Sequence, residues 1–163
     1  MRKSPLGIGL VAVVVSSLLA TATAQGDPTA SGSAAVLKTA FNKTLKKTIV
    51  VDSRGRTLYM CTCDPSGAPS GCLALGSACT NLWPAYTSVG APQAGKGINR
   101  ALVATATWPG GKRQVVYNHH RLYYFAGGQG YGSGDKKPGD AEGQRFLQVW
   151  YVLSARGTPI KSG

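Results

Sequence analysis

The chain has 163 residues and a formal net charge of +12, with 18 lysine and arginine residues against only 6 acidic ones. The length fits a single domain, and the scarcity of aspartate and glutamate leaves few carboxylate pairs for acid–base catalysis. The basic residues are scattered, apart from Lys43, Lys46 and Lys47, and no nucleic-acid-binding motif accompanies them. We therefore expect no nucleic-acid partner.

Residues 1–24 have the pattern of a secretory signal peptide. Arg2 and Lys3 precede an apolar run over residues 6–20, and small residues lead to a predicted cleavage site after Ala24. The run is shorter than the roughly 18 apolar residues that span a bilayer, and no cysteine stands at the cleavage site for lipid attachment. We expect a secreted or periplasmic protein that has no membrane anchor once the signal is removed.

Signal cleavage removes two basic residues and leaves 16 basic against 6 acidic ones, a net charge of +10. A charge of this sign favours anionic cell-envelope components as partners. The next residues, 25–35, are small and polar without periodicity, which predicts a flexible leader. A β domain is predicted over residues 36–158, followed by a tail at 159–163.

Three segments of the β domain have the pattern of hairpins, in which β-branched runs flank polar or glycine-rich turns. They are "TIVVDSRGRTLYM" at 48–60, "ATATWPGGKRQVVYN" at 104–118, and "QVVYNHHRLYYFAG" at 114–127, which turns at Asn118 and His119. Long helical periodicity is absent, and glycine and proline interrupt the chain throughout. The sequence predicts a small, loop-rich, antiparallel all-β domain.

Two of these segments resemble each other. "VVDSRGRTLYMC" and "VVYNHHRLYYF" share a Val-Val start, a polar turn and a Leu-Tyr core, and each is followed by a glycine-rich stretch and then a tryptophan, Trp83 or Trp150. We predict two related units, about residues 36–90 and 91–158, that pack on a shared core. Both tryptophans are expected to be buried at equivalent places.

All four cysteines, Cys61, Cys63, Cys72 and Cys79, lie within 19 residues. An even number of cysteines in an exported chain predicts disulfides. In an extended strand, residues i and i+2 lie about 6.7 Å apart with parallel side chains, at the outer limit of disulfide geometry. We expect Cys61 and Cys63 to bridge to the loop that contains Cys72 and Cys79, rather than to each other.

An alternative role uses the stretch "MCTC" for metal or redox chemistry. Met60, Cys61 and Cys63 offer the soft sulfur donors that Cu(I) prefers, and His119 and His120 would add imidazole nitrogens. Met60 and Cys61 point to opposite faces of a strand, however, and oxidised cysteines do not ligate as thiolates. We expect no metal and no other cofactor, and redox or copper handling by Cys61 and Cys63 is the alternative function.

No pattern in the sequence predicts an enzyme. The "GSG" at residues 132–134 lacks the strand-to-helix context of a nucleophile elbow, and no helix follows "GQGYGSG" to make it a phosphate-binding loop. No catalytic residue is therefore expected. A further alternative is a carbohydrate- or lipid-binding surface, although inward-facing aromatic residues are more often core. The aromatic residues concerned are Tyr59, Trp83, Tyr117, Tyr123, Tyr124, Phe125 and Trp150.

Most of the β domain, about residues 49–157, resembles the bacterial predicted lipoproteins with a Yx(FWY)xxD motif, also called secreted repeats of unknown function. The segments that carry the resemblance are "VVDSRGRTLY", the cysteine-containing loop before "LWPAY", "AGKGINRALVATATWPGGKRQVVYNHHRLYYFAG", "KPGD" and "GQRFLQVWYVLSARG". The resemblance implies export and this fold class, and it brings no activity. The residues that match the family are Tyr59, Asp64, Trp83, Tyr123, Phe125, Asp140 and Trp150.

The chain departs from the family pattern in both motif copies. Cys61 takes the aromatic position of the first copy, and Gly128 stands where the aspartate of the second copy is expected. The resemblance also implies a Cys72–Cys79 pair, which would leave Cys61 and Cys63 to each other. Asp64 and Asp140 are expected to cap backbone turns. The function predicted from all of this is a non-enzymatic extracellular or envelope module.

Overall fold

The computed structural model describes residues 33–64 and 69–162, so the predicted signal peptide and most of the predicted leader lie outside the described residues. The described ranges are mostly β structure with two short helices. The strands are β1 (Val36–Asn42), β2 (Lys47–Asp52), β3 (Tyr59–Cys61), β4 (Thr87–Ser88), β5 (Gln93–Ala94), β6 (Val103–Trp108), β7 (Lys112–Tyr117), β8 (His120–Arg121) and β9 (Trp150–Val152). The helices are α1 (Gly71–Ala74) and α2 (Ser77–Leu82), with 3-10 turns at Arg100–Leu102 and Phe146–Gln148.

The strands form three small sheets, which confirms the predicted all-β class. One sheet has the order β2-β1-β5, a second pairs β3 with β9, and a third has the order β4-β7-β6 with β8 added to β7. Every pairing is antiparallel except β1 with β5. The pairing of β3 with β9 places the first motif copy beside the last strand.

The second and third predicted hairpins are present, but the first is present only as a turn, because its arms meet at the single Val51–Thr57 bridge while β2 pairs with β1 and β3 pairs with β9. In the first, the Asp52 amide donates to the Arg56 carbonyl at 3.0 Å, and the Asp52 carboxylate accepts from the amides of Arg54 and Arg56 inside the turn. In the third, Asn118 and His119 have φ values of 46° and 67°, as a two-residue hairpin turn of primed type requires. The second hairpin is the β6–β7 pair. Strand β1 was not predicted because its seven residues lack clear alternation, and the two helices were not predicted because they are only four and six residues long.

Two buried clusters lie on opposite sides of the central strands. Side chains alternate along a strand, so Met60 enters the first cluster and Cys61 the second. Likewise Tyr123 and Phe125 enter the second cluster and Tyr124 packs against the first, as the sequence predicts. The central strands are therefore covered on both faces, and both motif tyrosines lie in the second cluster.

Hydrogen-bonded structure extends slightly beyond the predicted limits of the β domain. The Ala35 amide donates to Ser88 Oγ at 2.9 Å, and Ala35 is buried. At the other end, the Ile160 amide donates to the Val152 carbonyl at 2.9 Å. The limits of the two predicted units within the domain stay predictions.

Candidate functional site

The hydroxyl of Tyr59 is held by the second half of the chain. It donates to Asp135 Oδ2 at 2.7 Å and accepts from the Gly143 amide at 3.3 Å. The Glu142 amide donates to Asp135 Oδ1 at 2.9 Å. Burial, with the nearby Asp135 carboxylate, raises the pKa of Tyr59, so its phenol stays protonated and acts as the donor. Burial also raises the pKa of the Asp135 carboxyl group.

Tyr123 makes the reciprocal contact with the first half of the chain. Its hydroxyl donates to Asp64 Oδ2 at 2.6 Å and lies 2.7 Å from Ser70 Oγ. The Gly71 amide donates to Asp64 Oδ1 at 2.6 Å, so Asp64 binds the first amide of α1 rather than an amide of its own turn. Burial, with the hydrogen bond to Asp64, raises the pKa of Tyr123. Each motif tyrosine is thus bonded to the aspartate of the other half, and we call these two contacts the crossed Tyr–Asp pairs.

Asp135 occupies the place in the second motif copy that Asp64 occupies in the first. The Asp64 amide donates to the Cys61 carbonyl at 3.2 Å, and the Asp135 amide donates to the Phe125 carbonyl at 3.0 Å. Cys61 and Phe125 both stand two residues after their motif tyrosine. The expectation that the second copy lacks its aspartate, with a glycine in its place, is therefore wrong.

A glycine-rich excursion at residues 127–133 conceals this aspartate in the sequence. The two ends of the excursion are in contact, because a Cβ atom on Gly127 would lie 2.2 Å from the Gly134 nitrogen. Without residues 127–133 the segment reads YYFAGD, which has the Yx(FWY)xxD spacing. The sequence signal for Asp135 is therefore the motif spacing that appears when the glycine-rich residues 127–133 are left out.

The predicted tryptophans meet between the two halves. Trp83 and Trp150 are 1% and 3% exposed, and their rings stack with centroids 3.8 Å apart and planes 3° from parallel. Tyr59 pairs with the residue two positions after Trp150, and Tyr123 pairs with the residue two positions after Trp83. The prediction of burial at equivalent places is confirmed.

The aromatic set considered as a stacking surface for sugars or lipids is almost entirely core, so that alternative is wrong for these residues. These side chains belong to, or pack against, the two buried clusters. Tyr59, Trp83, Tyr117, Tyr123, Phe125 and Trp150 are all buried, and Tyr124 is half-buried with its hydroxyl donating to Asp52.

The disulfides are Cys61–Cys63 and Cys72–Cys79, with Cα separations of 5.0 and 5.3 Å. The predicted strand-to-loop bridges are wrong, and the pairing that the family resemblance implied is found. The extended spacing of residues i and i+2 does not apply, because β3 ends at Cys61. The chain then turns, with the Asp64 amide donating back to the Cys61 carbonyl.

The candidate metal ligands are not brought together. Cys61 and Cys63 are bonded to each other, and Met60 is buried in the opposite cluster. His119 is exposed in its turn, and burial lowers the pKa of the half-buried His120. Within residues 33–64 and 69–162, no group of three or more His, Cys, Asp or Glu side chains is placed to hold a metal ion.

Asp140 caps its own turn, as the sequence predicts. Its Oδ2 accepts from the amides of Lys136 and Lys137 at 2.9 and 3.0 Å. These backbone hydrogen bonds lower the pKa of the Asp140 carboxyl group. The role of Asp140 in the fold is local and structural.

Two surface features remain as candidate binding sites. The first is a basic cleft of about 580 Å³ between the β1–β2 hairpin and residues 137–140, whose charged lining residues are Lys38, Lys43, Lys137 and Asp140. The second is an apolar groove of about 360 Å³, to which each disulfide contributes one cysteine, Cys63 or Cys79.

No family model, curated protein or solved structure matches the chain. The fold and site define a small β domain with two disulfides, which are typical of proteins in oxidising, extracytoplasmic compartments. In the part of the chain that the structure describes, no helix is long and apolar enough to cross a membrane.

Proposed function

We propose that the protein is an exported, non-enzymatic module of the cell envelope that binds phosphate-rich anionic polymers at the basic cleft. The two disulfides support export, since such bonds persist in oxidising compartments. Membership of the Yx(FWY)xxD family is part of the proposal. Its support is the second motif copy, which is complete once residues 127–133 are set aside.

The observation that carries the proposal is the separation of charge between the inside and the outside of the domain. Asp52 is 2% exposed and pairs with Arg56, while Asp64 and Asp135 accept the buried tyrosine hydroxyls. Asp140 is held by backbone amides. Most of the few carboxylates therefore serve internal bonds, and the lysines dominate the outer surface and attract polyanions.

In the basic cleft, three lysines lie around a cavity. Asn42 Nδ2 donates to the Gly139 carbonyl at 3.0 Å and ties the two walls of the cleft together. Lys43 and Lys137 are exposed, one on each wall, and Phe41 is 63% exposed and adds an apolar contact. A flexible chain of phosphodiesters with short carbon spacers matches such a lining, because it offers repeated charges and apolar links.

The same bonding pattern supports a role without catalysis. A general acid or base must reach a substrate, and it needs a free protonation site. The Tyr59, Tyr123, Asp64 and Asp135 side chains instead bond to one another across the core. The two tyrosine–carboxylate hydrogen bonds link the two halves of the chain.

The test is binding of the disulfide-bonded mature chain to poly(glycerol phosphate), measured by calorimetry at low and at high salt. The variant Lys43→Gln/Lys137→Gln removes two charges from the cleft. Its matched control, Lys96→Gln/Lys112→Gln, removes two exposed lysine charges elsewhere. At about 1 kcal/mol per lysine near an anionic surface, the cleft variant should weaken binding by about thirtyfold.

We expect the control to retain affinity within about threefold of the parent and a neutral dextran to show no binding. Equal losses in the two variants would contradict the assignment to the cleft. Tighter binding to phosphatidylglycerol vesicles than to the polymer, at matched phosphate concentration, would contradict the proposed partner class.

A further inference from the structure

We propose that the Cys61–Cys63 disulfide is a thiol–disulfide exchange site that oxidises dithiols of polypeptides whose cysteines are flanked by apolar side chains. This activity is separate from polymer binding and uses the apolar groove. The groove contains Cys63, and the groove surface beside it carries three exposed apolar side chains. These are Leu75 at 68%, Tyr131 at 49% and Leu147 at 73% exposure.

The two sulfurs of the bridge are unequal, which gives the exchange a direction. Cys61 is 1% exposed in the second core cluster, whereas Cys63 is partly exposed and lines the groove. An incoming thiolate therefore reaches the Cys63 sulfur, and Cys61 is the leaving group. The Cys63 amide donates to Cys61 Sγ at 3.0 Å, so a hydrogen bond already points at the sulfur on which negative charge develops.

The first step forms a bond between the substrate sulfur and Cys63 Sγ and breaks the Cys61–Cys63 bond. Cys61 leaves as a thiolate and takes up a proton, and the substrate is held as a mixed disulfide. The second substrate thiolate then attacks its own sulfur in that mixed disulfide and expels Cys63, which is protonated in turn. Two electrons and two protons pass from the substrate dithiol to the cysteine pair, and the substrate gains one disulfide.

The backbone around the bridge is held by hydrogen bonds that do not depend on it. The Thr62 amide donates to the Val149 carbonyl at 2.8 Å, and the Asp64 amide donates to the Cys61 carbonyl at 3.2 Å. The Asp64 side chain is fixed further by Tyr123. Reduction therefore leaves Cys61 and Cys63 adjacent in a folded protein.

Cys72–Cys79 supplies an internal comparison, since Cys79 lines the same groove. That bridge joins α1 to α2 across a sequence separation of 7, and Cys72 is fully buried. Its reduction loosens the only covalent link between the two described helices, apart from the chain itself. We expect it to resist reduction under conditions in which Cys61–Cys63 exchanges.

The first experiment treats the fully oxidised mature chain with limiting dithiothreitol, followed by alkylation and peptide mass spectrometry. Cys61 and Cys63 should be labelled about tenfold faster than Cys72 and Cys79. Equal labelling of the two bridges, or earlier labelling of Cys72 and Cys79, would overturn the proposal.

The second experiment identifies the attacked sulfur. With a mixed-disulfide probe of a leucine-flanked, single-cysteine peptide, the Cys61→Ser variant should capture the peptide at Cys63. The Cys63→Ser variant leaves only the buried Cys61 and should react about tenfold more slowly. Circular dichroism of both variants establishes that they are folded, and faster capture by Cys61 would contradict the assigned direction.

The third experiment tests the apolar substrate class. Leu75→Ser/Leu147→Ser should slow exchange with the leucine-flanked dithiol peptide by about tenfold, and leave exchange with glutathione unchanged. The control Val89→Ser removes an exposed apolar side chain outside the groove, and should leave both rates unchanged. Equal slowing by both variants, or slowing with glutathione, would overturn the role of the groove.

Discussion

The two halves of the chain build the same hydrogen-bonded unit with different connections. In the first half, the segment between Tyr59 and Asp64 contains the Cys61–Cys63 bridge, and the Cys72–Cys79 bridge follows. In the second half, Phe125 takes the place of Cys61, the excursion at 127–133 precedes Asp135, and no cysteine is present. The comparison indicates that the turn that places Asp135 beside Phe125 forms without a disulfide.

Features that occur in both halves are structural, whereas features that are not repeated are candidates for function. The tyrosine, the aspartate and the tryptophan occur in both halves and bond across the interface between them. The basic cleft, the apolar groove and the disulfides are not repeated in the two halves. We place function in the second group, and the following predictions test the division.

The largest expected effect comes from the stacked tryptophans. Trp83→Ala and Trp150→Ala should each lower the free energy of unfolding by about 3–5 kcal/mol, since each removes a large buried side chain. Urea unfolding followed by far-ultraviolet circular dichroism measures both. Trp108→Ala is the control, because Trp108 is only partly buried and should cost less than half as much. A cost below about 1 kcal/mol at either stacked position would contradict equivalence of the halves.

The two bridges should differ in their effect on stability. In the chain-entropy model, removing Cys72–Cys79 by Cys72→Ala/Cys79→Ala costs about 2.5 kcal/mol, and Cys61→Ala/Cys63→Ala costs about 1.5 kcal/mol because its loop is shorter. Urea midpoints without reductant, at fixed pH, compare the two variants. A larger cost for the Cys61–Cys63 pair would show that the first half needs this bridge to fold.

The buried tyrosine hydroxyls should contribute equally in the two halves. Tyr59→Phe and Tyr123→Phe should each cost about 1–2 kcal/mol, because each leaves one oxygen of a partly buried carboxylate without its phenol donor. The control Tyr131→Phe alters an exposed phenol and should leave the unfolding midpoint unchanged. A cost for only one of the two tyrosines would mean that only one of the two crossed Tyr–Asp pairs stabilises the fold.

The smallest effect is expected from deleting the excursion. Joining Ala126 to Gly134 should change the free energy of unfolding by no more than about 0.6 kcal/mol, because its two ends already touch. Deleting residues 136–142 is the length-matched control, and it should be strongly destabilising because it removes the Glu142 amide that holds Asp135. If the chain without residues 127–133 does not fold, the excursion is required for the stability of the domain.

The fold class and two of the hairpins were predictable because they depend on local patterns. The turn at Asn118 and His119, and the alternation that separates Tyr123 from Tyr124, follow from chain geometry over a few residues. The burial of Trp83 and Trp150 followed from repetition within the chain. Their direct stacking did not, since it depends on how the two halves pack.

The site was predictable only in part because its contacts are long-range. Tyr59 and Asp135 are 76 residues apart, and an excursion displaces the aspartate from its motif spacing. The disulfide pairing was predicted wrongly because the prediction assumed an extended strand through Cys63. Strand β3 ends at Cys61, so the two cysteines are not held at the extended spacing. Local geometry cannot locate the end of a strand whose partner, β9, comes from the far end of the chain.

The most direct test of the crossed Tyr–Asp pairs is a set of double-mutant cycles on the free energy of unfolding. Tyr59→Phe with Asp135→Asn, and Tyr123→Phe with Asp64→Asn, should each show a coupling energy of about 1–2 kcal/mol. Tyr59→Phe with Asp64→Asn, and Tyr123→Phe with Asp135→Asn, should be additive within about 0.5 kcal/mol. Coupling within each motif copy, with additivity between the halves, would contradict the account.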